Sequence, residues 1–192
     1  MKAVCVYCGS APGSKPLYAE AARAMGRELA SRGLTLVYGG GNVGTMGALA
    51  QAAMESGAKT IGIIPRRLNE AVDHLELSEL IVVEDMHERK AAMQEKADAF
   101  IAMPGGIGTF EEFFEIWTWR FLGYHAKPVG LLNTGGFYDS LLSFLAQVRD
   151  EGFLKPEILA DLVVESSPGA LLDALAAARP APELKSFERT AM

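Results

Sequence analysis

Short apolar runs recur along the chain and alternate with longer segments whose apolar residues repeat at helical spacing. Most of the short runs are continuous, which is typical of strands covered on both faces. The runs lie at 2–8, 34–38, 60–64, 80–83, 98–103, 128–132 and 162–164. Several of the helical segments end at a glycine, the residue favoured just past a helix C-terminus. These glycines are Gly33, Gly57, Gly123 and Gly152.

This alternation of strands and helices predicts an α/β fold. We expect a Rossmann-like, doubly wound, mostly parallel sheet of about seven strands, with helices on both faces. The 192 residues contain no internal repeat and no linker, so a single domain is expected over residues 1–179. The last segment, 180–192, reads "PAPELKSFERTAM" and is expected to be a loosely ordered tail.

Charge and cysteine content exclude several classes of function. The net charge of −6 argues against a broad surface for nucleic acid or an anionic membrane, and no apolar run is long enough for a transmembrane helix. We therefore expect a cytoplasmic protein. Both cysteines lie in "CVYC", where strand alternation would point Cys5 and Cys8 to opposite faces. That placement disfavours disulfide exchange, and no second Cys/His pair with matching spacing suggests a metal site.

Glycine-rich segments follow several of the predicted strands. Gly9-Ser10 follows the first, "GGGNVGTMG" the second, "PGGIGTFEE" the fifth and "NTGG" the sixth. In a parallel sheet these segments share the edge at which α/β proteins bind their ligands. Glycine at such an edge lets the backbone come close to a ligand.

The second of these segments matches a dinucleotide-binding pattern by its letters. Gly39, Gly41 and Gly44 complete G-x-G-x-x-G. An NAD enzyme needs that motif after the first strand and an acidic residue about 20 positions later. Here the motif follows the second strand, and the later position falls in Ile63–Arg66, which has no carboxylate. The pattern disfavours an NAD-linked oxidoreductase and leaves a turn that holds a smaller nucleotide.

The segment "MPGGIGTFEE" has two interpretations. Pro104 ends the strand, and Thr109 is expected to open a helix whose free N–H groups form a phosphate cradle. Alternatively, Thr109 and Glu112 form a capping box, in which Glu112 bonds back to the Thr109 backbone. Two further glycines, Gly105 and Gly106, are more than a cap requires and favour the ligand interpretation.

The segment "DMHERK" places two cations early in a predicted helix. Asp85 can cap that helix with Glu88 as its partner, and Arg89 and Lys90 then fall in the first turns. Cations there oppose the helix dipole, so their position at the ligand edge indicates an anionic ligand. A solvated surface pair is the alternative.

The predicted helix "TFEEFFEIWTWRFLG" carries apolar residues on two sides. Phe110, Phe113, Phe114, Trp117 and Phe121 form one stripe, and a second side is also apolar. One side can cover the sheet, while the other indicates a second subunit. Ordinary packing within a wide fold is the alternative.

Three segments together resemble a known family. "GGGNVGTMG", "DMHERK" and "PGGIGTFEE" match, in order and spacing, the LOG ("Lonely Guy") family, whose signature includes P-G-G-x-G-T-x-x-E. The similarity runs from about residue 3 to 165. The resemblance implies a cytokinin riboside 5′-monophosphate phosphoribohydrolase. Some bacterial relatives in this family accept AMP. The family's older label, lysine decarboxylase, has no support here, because no lysine occupies an evident pyridoxal phosphate site.

The resemblance also implies roles for individual residues. The family's catalytic arginine and glutamate fall on Arg89 and Glu112, and no metal or cofactor is implied. The candidate substrate-binding residues are Gly9, Ser10, Gly40, Gly41, Gly44, Met86, Lys90, Pro104, Gly105, Gly106, Ile107, Gly108, Thr109, Phe110, Glu111 and Thr118. A homodimer with active sites near the interface is expected.

One departure from the family leaves the preferred base open. Plant members carry an acidic residue shortly after the equivalent of Pro65, and Arg66, Arg67 and Leu68 occupy that region here. The rival functions are a molybdenum-cofactor carrier, which resembles this fold and binds without catalysis, and a non-catalytic nucleotide sensor. The joint presence of Arg89, Lys90 and Glu112 favours the hydrolase.

Overall fold

The computed structural model describes residues 1–70 and 75–178 and contains one seven-stranded sheet. The strands are β1 (Ala3–Tyr7), β2 (Thr35–Tyr38), β3 (Thr60–Pro65), β4 (Glu79–Val83), β5 (Ala99–Ala102), β6 (Val129–Leu132) and β7 (Val163–Glu165). The helices are α1 (Pro16–Ser31), α2 (Gly44–Glu55), α3 (Arg66–Asn69), α4 (Met86–Lys96), α5 (Ile107–Phe121), α6 (Asp139–Asp150), α7 (Pro156–Asp161) and α8 (Pro168–Ala177). A 3₁₀ turn at Thr134–Gly136 follows β6.

The strand order is β4-β3-β2-β1-β5-β6-β7, and every neighbouring pair is parallel. Cys5 on β1 lies between Val37 on β2 and Phe100 on β5 in the register. The chain winds outward in opposite directions from β1 and from β5, so the topological switch point lies between these two strands. Ligands of open α/β sheets bind at such a point, outside the carboxyl ends of the strands.

Two apolar cores cover the sheet, one on each face. Helices α1, α2 and α8 enclose one core around residues such as Met25 and Leu29, and α4 to α7 enclose the other around Phe113. Each fully buried Leu or Phe contributes roughly 1.5–3 kcal/mol relative to an exposed one. Cys5 belongs to the second core and Cys8 to the first, which confirms that the two thiols point to opposite faces.

The expected fold class is confirmed, and all seven apolar runs are strands. Each of the four glycines expected at helix ends follows its helix with a positive φ of 64° to 88°. The strands are not equally buried: β4 lies at an edge of the sheet, and its Leu80 and Val82 are exposed. The tail expected at 180–192 lies outside the described residues. Within residues 1–70 and 75–178, no helix has the length and apolar character needed to cross a membrane.

Candidate active site

A buried ion pair joins α4 to α5 at the ligand edge of the sheet. Nη1 of Arg89 lies 2.8 Å from Oε1 of Glu112, and the two side chains are only 11% and 9% exposed. Because both charges are removed from water, loss of either partner would leave the other buried without a counter-charge, which is strongly destabilising. The structure therefore brings together the two residues to which the resemblance assigns catalysis, and it excludes a solvated surface setting for Arg89.

The backbone around Arg89 fixes the guanidinium in place. Its Nε donates to the carbonyl oxygen of Ile63 on β3 at 3.1 Å. The helix that carries it begins at the expected cap, because Oδ1 of Asp85 accepts from the N–H groups of His87 at 2.8 Å and Glu88 at 2.9 Å. The carboxylate of Glu88 accepts from the N–H of Glu84, one residue before the position that a capping box requires.

Burial changes the acidity of Glu112. Removal from water raises the pKa of its carboxyl above the ordinary value, and the nearby Arg89 opposes only part of that effect. A carboxylate with a raised pKa holds a proton more readily, so Glu112 is better suited to accept a proton near neutral pH than an exposed glutamate. Glu111, its neighbour on α5, adds to the increase by like-charge repulsion.

Lys90 is also buried between α4 and α5, at 8% exposure. Its Nζ lies 2.5 Å from the carboxylate of Glu111 and 3.0 Å from that of Glu115. Burial disfavours the ammonium form, but the two carboxylates outweigh this effect and raise the pKa of Lys90. The solvated surface pair considered for Arg89 and Lys90 is therefore wrong for both residues.

The start of α5 differs from the capping-box interpretation. The helix begins at Ile107 with Gly106 at the N-cap, so Thr109 lies inside the first turn and does not open the helix. Glu112 then falls in the second turn, too far along the helix to bond back to its start, and its carboxylate instead meets Arg89. The capping box is wrong because Gly106 occupies the N-cap, the position at which the box requires Thr109.

The first turn of α5 presents free N–H groups at the ligand edge. None of the side chains in the described ranges caps this turn, whereas α4 and α8 are capped by Asp85 and Ser167. Apart from its chain neighbours and the backbone of its own helix, a Cβ on Gly106 or Gly108 would have no atom of the described structure within 4 Å. Free N–H groups beside open space, at the positive end of a helix dipole, form a binding site for an anionic group.

The first two glycine-rich segments pack tightly on each other. The carbonyl oxygen of Gly9 accepts from Oγ1 of Thr45 at 3.0 Å and from the N–H of Met46 at 3.1 Å. Gly44 has a φ of 58°, and a Cβ there would overlap the backbone of Ser10. Glycine at position 44 is therefore required by this contact between loops, and not only by the approach of a ligand.

A cavity of about 240 Å³ opens at the switch point between β1 and β5. Its lining residues are Gly9, Ser10, Ala11, Pro12, Gly13, Tyr18, Thr45, Pro104, Gly105, Gly106 and Phe137. The sequence prediction missed Tyr18 and Phe137, whose rings meet edge to face with centroids 5.7 Å apart. Their only signal in the sequence is that each lies shortly after a glycine-containing loop at this edge.

Other predicted residues lie around the ion pair and the cavity. Gly40 and Gly41 are buried at the end of β2, and Met86 is exposed with its Sδ 3.9 Å from Nη1 of Arg89. Ile107 is exposed at the first position of α5, and Phe110 stacks on Phe137.

Thr118 is the predicted residue that lies apart from this group. It is exposed, six positions after Glu112 on α5, which corresponds to about 9 Å along a helix. It lines a separate groove of about 200 Å³ between α5, α6 and α7. The other lining residues are Phe114, Trp117, Phe121, Leu145, Val148, Phe153, Leu154 and Ile158. Within the described part of the chain, Thr118 therefore faces this apolar groove and not the cavity at the switch point.

The fold and the site define a Rossmann-like α/β protein with an anion cradle next to a buried arginine–glutamate pair. A family model described as possible lysine decarboxylase matches residues 46–175. The chain is 49% identical over 170 residues to cytokinin riboside 5′-monophosphate phosphoribohydrolase LOG7 of Arabidopsis thaliana, covering 88% of this chain and 77% of that protein. It is 46% identical over 173 residues to probable cytokinin riboside 5′-monophosphate phosphoribohydrolase LOGL2 of Oryza sativa subsp. japonica, covering 90% and 71%. The chain belongs to this LOG family.

Solved structures with the same fold are more distant in sequence. The molybdenum cofactor binding protein of Rippkaea orientalis matches with a TM-score of 0.69 at 25% identity, covering 92% of this chain and 97% of that one. The molybdenum cofactor carrier protein of Chlamydomonas reinhardtii matches with a TM-score of 0.69 at 22% identity, covering 92% and 98%. At 22% identity, the match to the Chlamydomonas reinhardtii protein shows only that the two chains share a fold.

Proposed function

We propose that this chain hydrolyses the N-glycosidic bond of nucleoside 5′-monophosphates, namely cytokinin riboside 5′-monophosphates, AMP or both. The products are a free adenine-type base and ribose 5-phosphate. The observation that carries the proposal is the buried pair of Arg89 and Glu112 next to the open first turn of α5. The relatives named as phosphoribohydrolases, which align over most of the chain, supply the substrate class.

In the proposed reaction the 5′-phosphate binds at Gly105–Thr109. The N–H groups of the first turn of α5 donate to its oxygens, and the helix dipole favours its negative charge. Because the phosphate is remote from the bond that breaks, its binding energy serves to position the ribose C1′. A nucleoside without the phosphate loses this anchor, so it should be a poor substrate.

Glu112 acts on the ribose side of the breaking bond. Cleavage of C1′–N9 develops positive charge on the ribose, as in glycoside hydrolysis, and a carboxylate stabilises that charge. The oxygen of a water molecule bonds to C1′, and one of its protons passes to Glu112. The bonding electrons of C1′–N9 leave with the base, which takes up a proton from solvent, and Glu112 returns its proton to solvent when the products leave. The raised pKa of Glu112 suits it to receive the proton from water.

Arg89 acts on the leaving-group or phosphate side. Its guanidinium is held by Glu112 and by the carbonyl oxygen of Ile63, so its orientation is set before any substrate binds. A preset cation near developing negative charge requires little reorganisation during the reaction.

We also propose that the chain forms a homodimer with its active sites near the interface. Phe121, Phe144 and Phe153 are exposed around the groove that Thr118 lines, and large apolar side chains grouped on a surface favour association. Light scattering at micromolar concentration should give about twice the chain mass of 20.6 kDa. A mass near that of one chain would contradict the dimer.

The proposed compartment is the cytoplasm. Cys5 and Cys8 are both free thiols, and burial raises the pKa of each, to about 12 for Cys8. Free thiols are usual in a reducing compartment.

A binding function without catalysis is the second candidate. It is favoured by the TM-score of 0.69 with the molybdenum cofactor binding protein of Rippkaea orientalis. The two functions are separated by incubating the protein with AMP and with isopentenyladenosine monophosphate, and assaying free base and ribose 5-phosphate by chromatography. The hydrolase predicts release of both products in equal amounts. Tight binding of either nucleotide without release would support the carrier or a nucleotide sensor.

A further inference from the structure

Two consecutive residues of α4 meet consecutive residues of α5. Arg89 contacts Glu112, and Lys90 contacts Glu111 and, one turn further along α5, Glu115. The two helices are therefore joined by adjacent ionic contacts. Any rotation of α4 that moves Lys90 also moves Arg89, since the two residues are neighbours on one helix.

The ammonium group of Lys90 is largely occupied by these contacts. A lysine has three N–H donors, and here two of them meet the carboxylates of Glu111 and Glu115 at 2.5 Å and 3.0 Å. The residue is only 8% exposed. Turning its side chain toward a substrate would leave two carboxylates without their cation in a partly buried site, which is unfavourable.

We propose that Lys90 is a positioning residue, which locks α4 to α5 through Glu111 and Glu115 and so aligns Arg89 with Glu112. This inference rests on the proposed hydrolase function. It gives Lys90 and Glu111 a role other than the direct contact with substrate that the family resemblance implies.

The charge balance explains why Lys90 is needed. The cluster contains three carboxylates, Glu111, Glu112 and Glu115, and two cations, Arg89 and Lys90. Without Lys90, Glu111 competes with Glu112 for the guanidinium, because both carboxylates then attract the one remaining cation of the cluster. The ion pair of the proposed catalytic site then loses its fixed geometry.

Loss of Lys90 should also change the protonation of Glu112. Glu112 is surrounded by Arg89 and Lys90 on α4, Glu111 on α5, and Cys5, Tyr7 and Cys8 on or just after β1. Burial raises the pKa of the two thiols and of Tyr7, so these three stay neutral near neutral pH. Lys90 lowers the pKa of Glu112 while Glu111 raises it, so removal of Lys90 should raise that pKa further.

The test compares Lys90→Met, Lys90→Arg and the control Lys96→Met, which makes the same change at a half-exposed lysine of the same helix. Steady-state kinetics are measured across pH with AMP or isopentenyladenosine monophosphate, whichever the wild type hydrolyses with the higher kcat/KM. For Lys90→Met we expect kcat to fall at least about tenfold with KM within about threefold, and the acidic limb of the profile to move to higher pH. Lys90→Arg should restore most of kcat, because it keeps the cation between the two carboxylates. Lys96→Met should match the wild type.

A rise in KM of tenfold or more for Lys90→Met, with kcat and the acidic limb unchanged, would overturn the inference in favour of direct substrate binding. Failure of the wild type to release base would instead refute the proposed function. The locking contact is then tested by thermal unfolding of Lys90→Met, Glu115→Gln and the double variant. A double variant that loses less in Tm than the sum of the single variants supports the contact, and additive losses contradict it.

Discussion

Gly39 at the end of β2 lies directly against the guanidinium of Arg89 on α4, so that a Cβ at position 39 would overlap Nη2. The first glycine of the G-x-G-x-x-G pattern thus serves the proposed catalytic arginine and not a dinucleotide. The absence of a side chain here allows Nε of Arg89 to reach Ile63 and Nη1 to reach Glu112.

Gly39→Ala should therefore reduce activity more than stability. The backbone at Gly39 has no positive φ, so alanine adds no conformational strain, but its methyl group displaces the end of the Arg89 side chain. We expect kcat/KM to fall at least about tenfold, since small misplacements of reacting groups are costly. Gly169→Ala on α8, where a Cβ makes only ordinary contacts, is the matched control and should keep full activity. Equal activity of the two variants would show that the close approach is dispensable.

Gly108→Ala tests the anion cradle. Gly108 lies in the first turn of α5 and faces open space, so alanine should fold normally and stabilise the helix by up to about 1 kcal/mol. The new methyl group occupies the space next to the N–H groups that are proposed to hold the phosphate. We expect an unchanged or higher Tm with a KM for nucleotide raised several-fold. An unchanged KM would place the phosphate elsewhere.

Glu112 should make stability depend on pH in a defined direction. Its pKa is raised in the folded protein above the ordinary value of 4.5, so the folded state binds more protons than the unfolded state at pH values between the two. The contribution of Glu112 to the free energy of unfolding is therefore full below pH 4.5 and decreases as pH rises through the folded pKa. Glu112→Gln does not titrate, so the wild type should lose stability relative to this variant as pH rises. Urea unfolding at several pH values measures this difference, and a constant difference would contradict the shift.

His125 should act in the opposite direction. Its Nδ1 accepts from the N–H of Lys127 at 3.2 Å, so Nε2 carries the proton and donates to the carbonyl oxygen of Ile116 at 2.9 Å. Burial lowers the pKa of this imidazole below 6.5, so the unfolded state takes up the proton first and stability falls as pH drops below 6.5. His125→Gln should remove this loss, measured by urea unfolding. A His125→Gln variant whose stability still falls below pH 6.5 as steeply as that of the wild type would contradict this assignment.

The sequence was sufficient to predict the strands and five of the helices, but not the helices α3, α7 and α8 or how distant elements meet. Apolar runs and terminal glycines identify every strand within residues 1–70 and 75–178, and several helix ends, because these signals are local. The start of α5 was predicted two residues late, because Gly106 and Gly108 suggest a turn while the chain is able to enter the helix at Ile107. The partner of Glu112 depends on how α4 lies against α5, and no local pattern encodes that arrangement.

The glycines show the same limit. Their clustering predicts close approach at the ligand edge, but it does not distinguish approach to a ligand from approach to protein. In the structure Gly39 adjoins Arg89 and Gly44 adjoins Ser10, while Gly106 and Gly108 face open space. Whether a glycine approaches a ligand or another part of the protein depends on contacts between residues that are distant in sequence.

The most direct test of the hydrolase is the release of products from a nucleoside monophosphate by the wild type and by Glu112→Gln. The matched control is Glu20→Gln, at an exposed glutamate of α1. We predict that the wild type and the control release free base and ribose 5-phosphate in equal amounts, and that Glu112→Gln is at least about 100-fold slower while still binding the nucleotide. Release by Glu112→Gln within a few-fold of the wild type, or no release by the wild type with binding intact, would contradict the account.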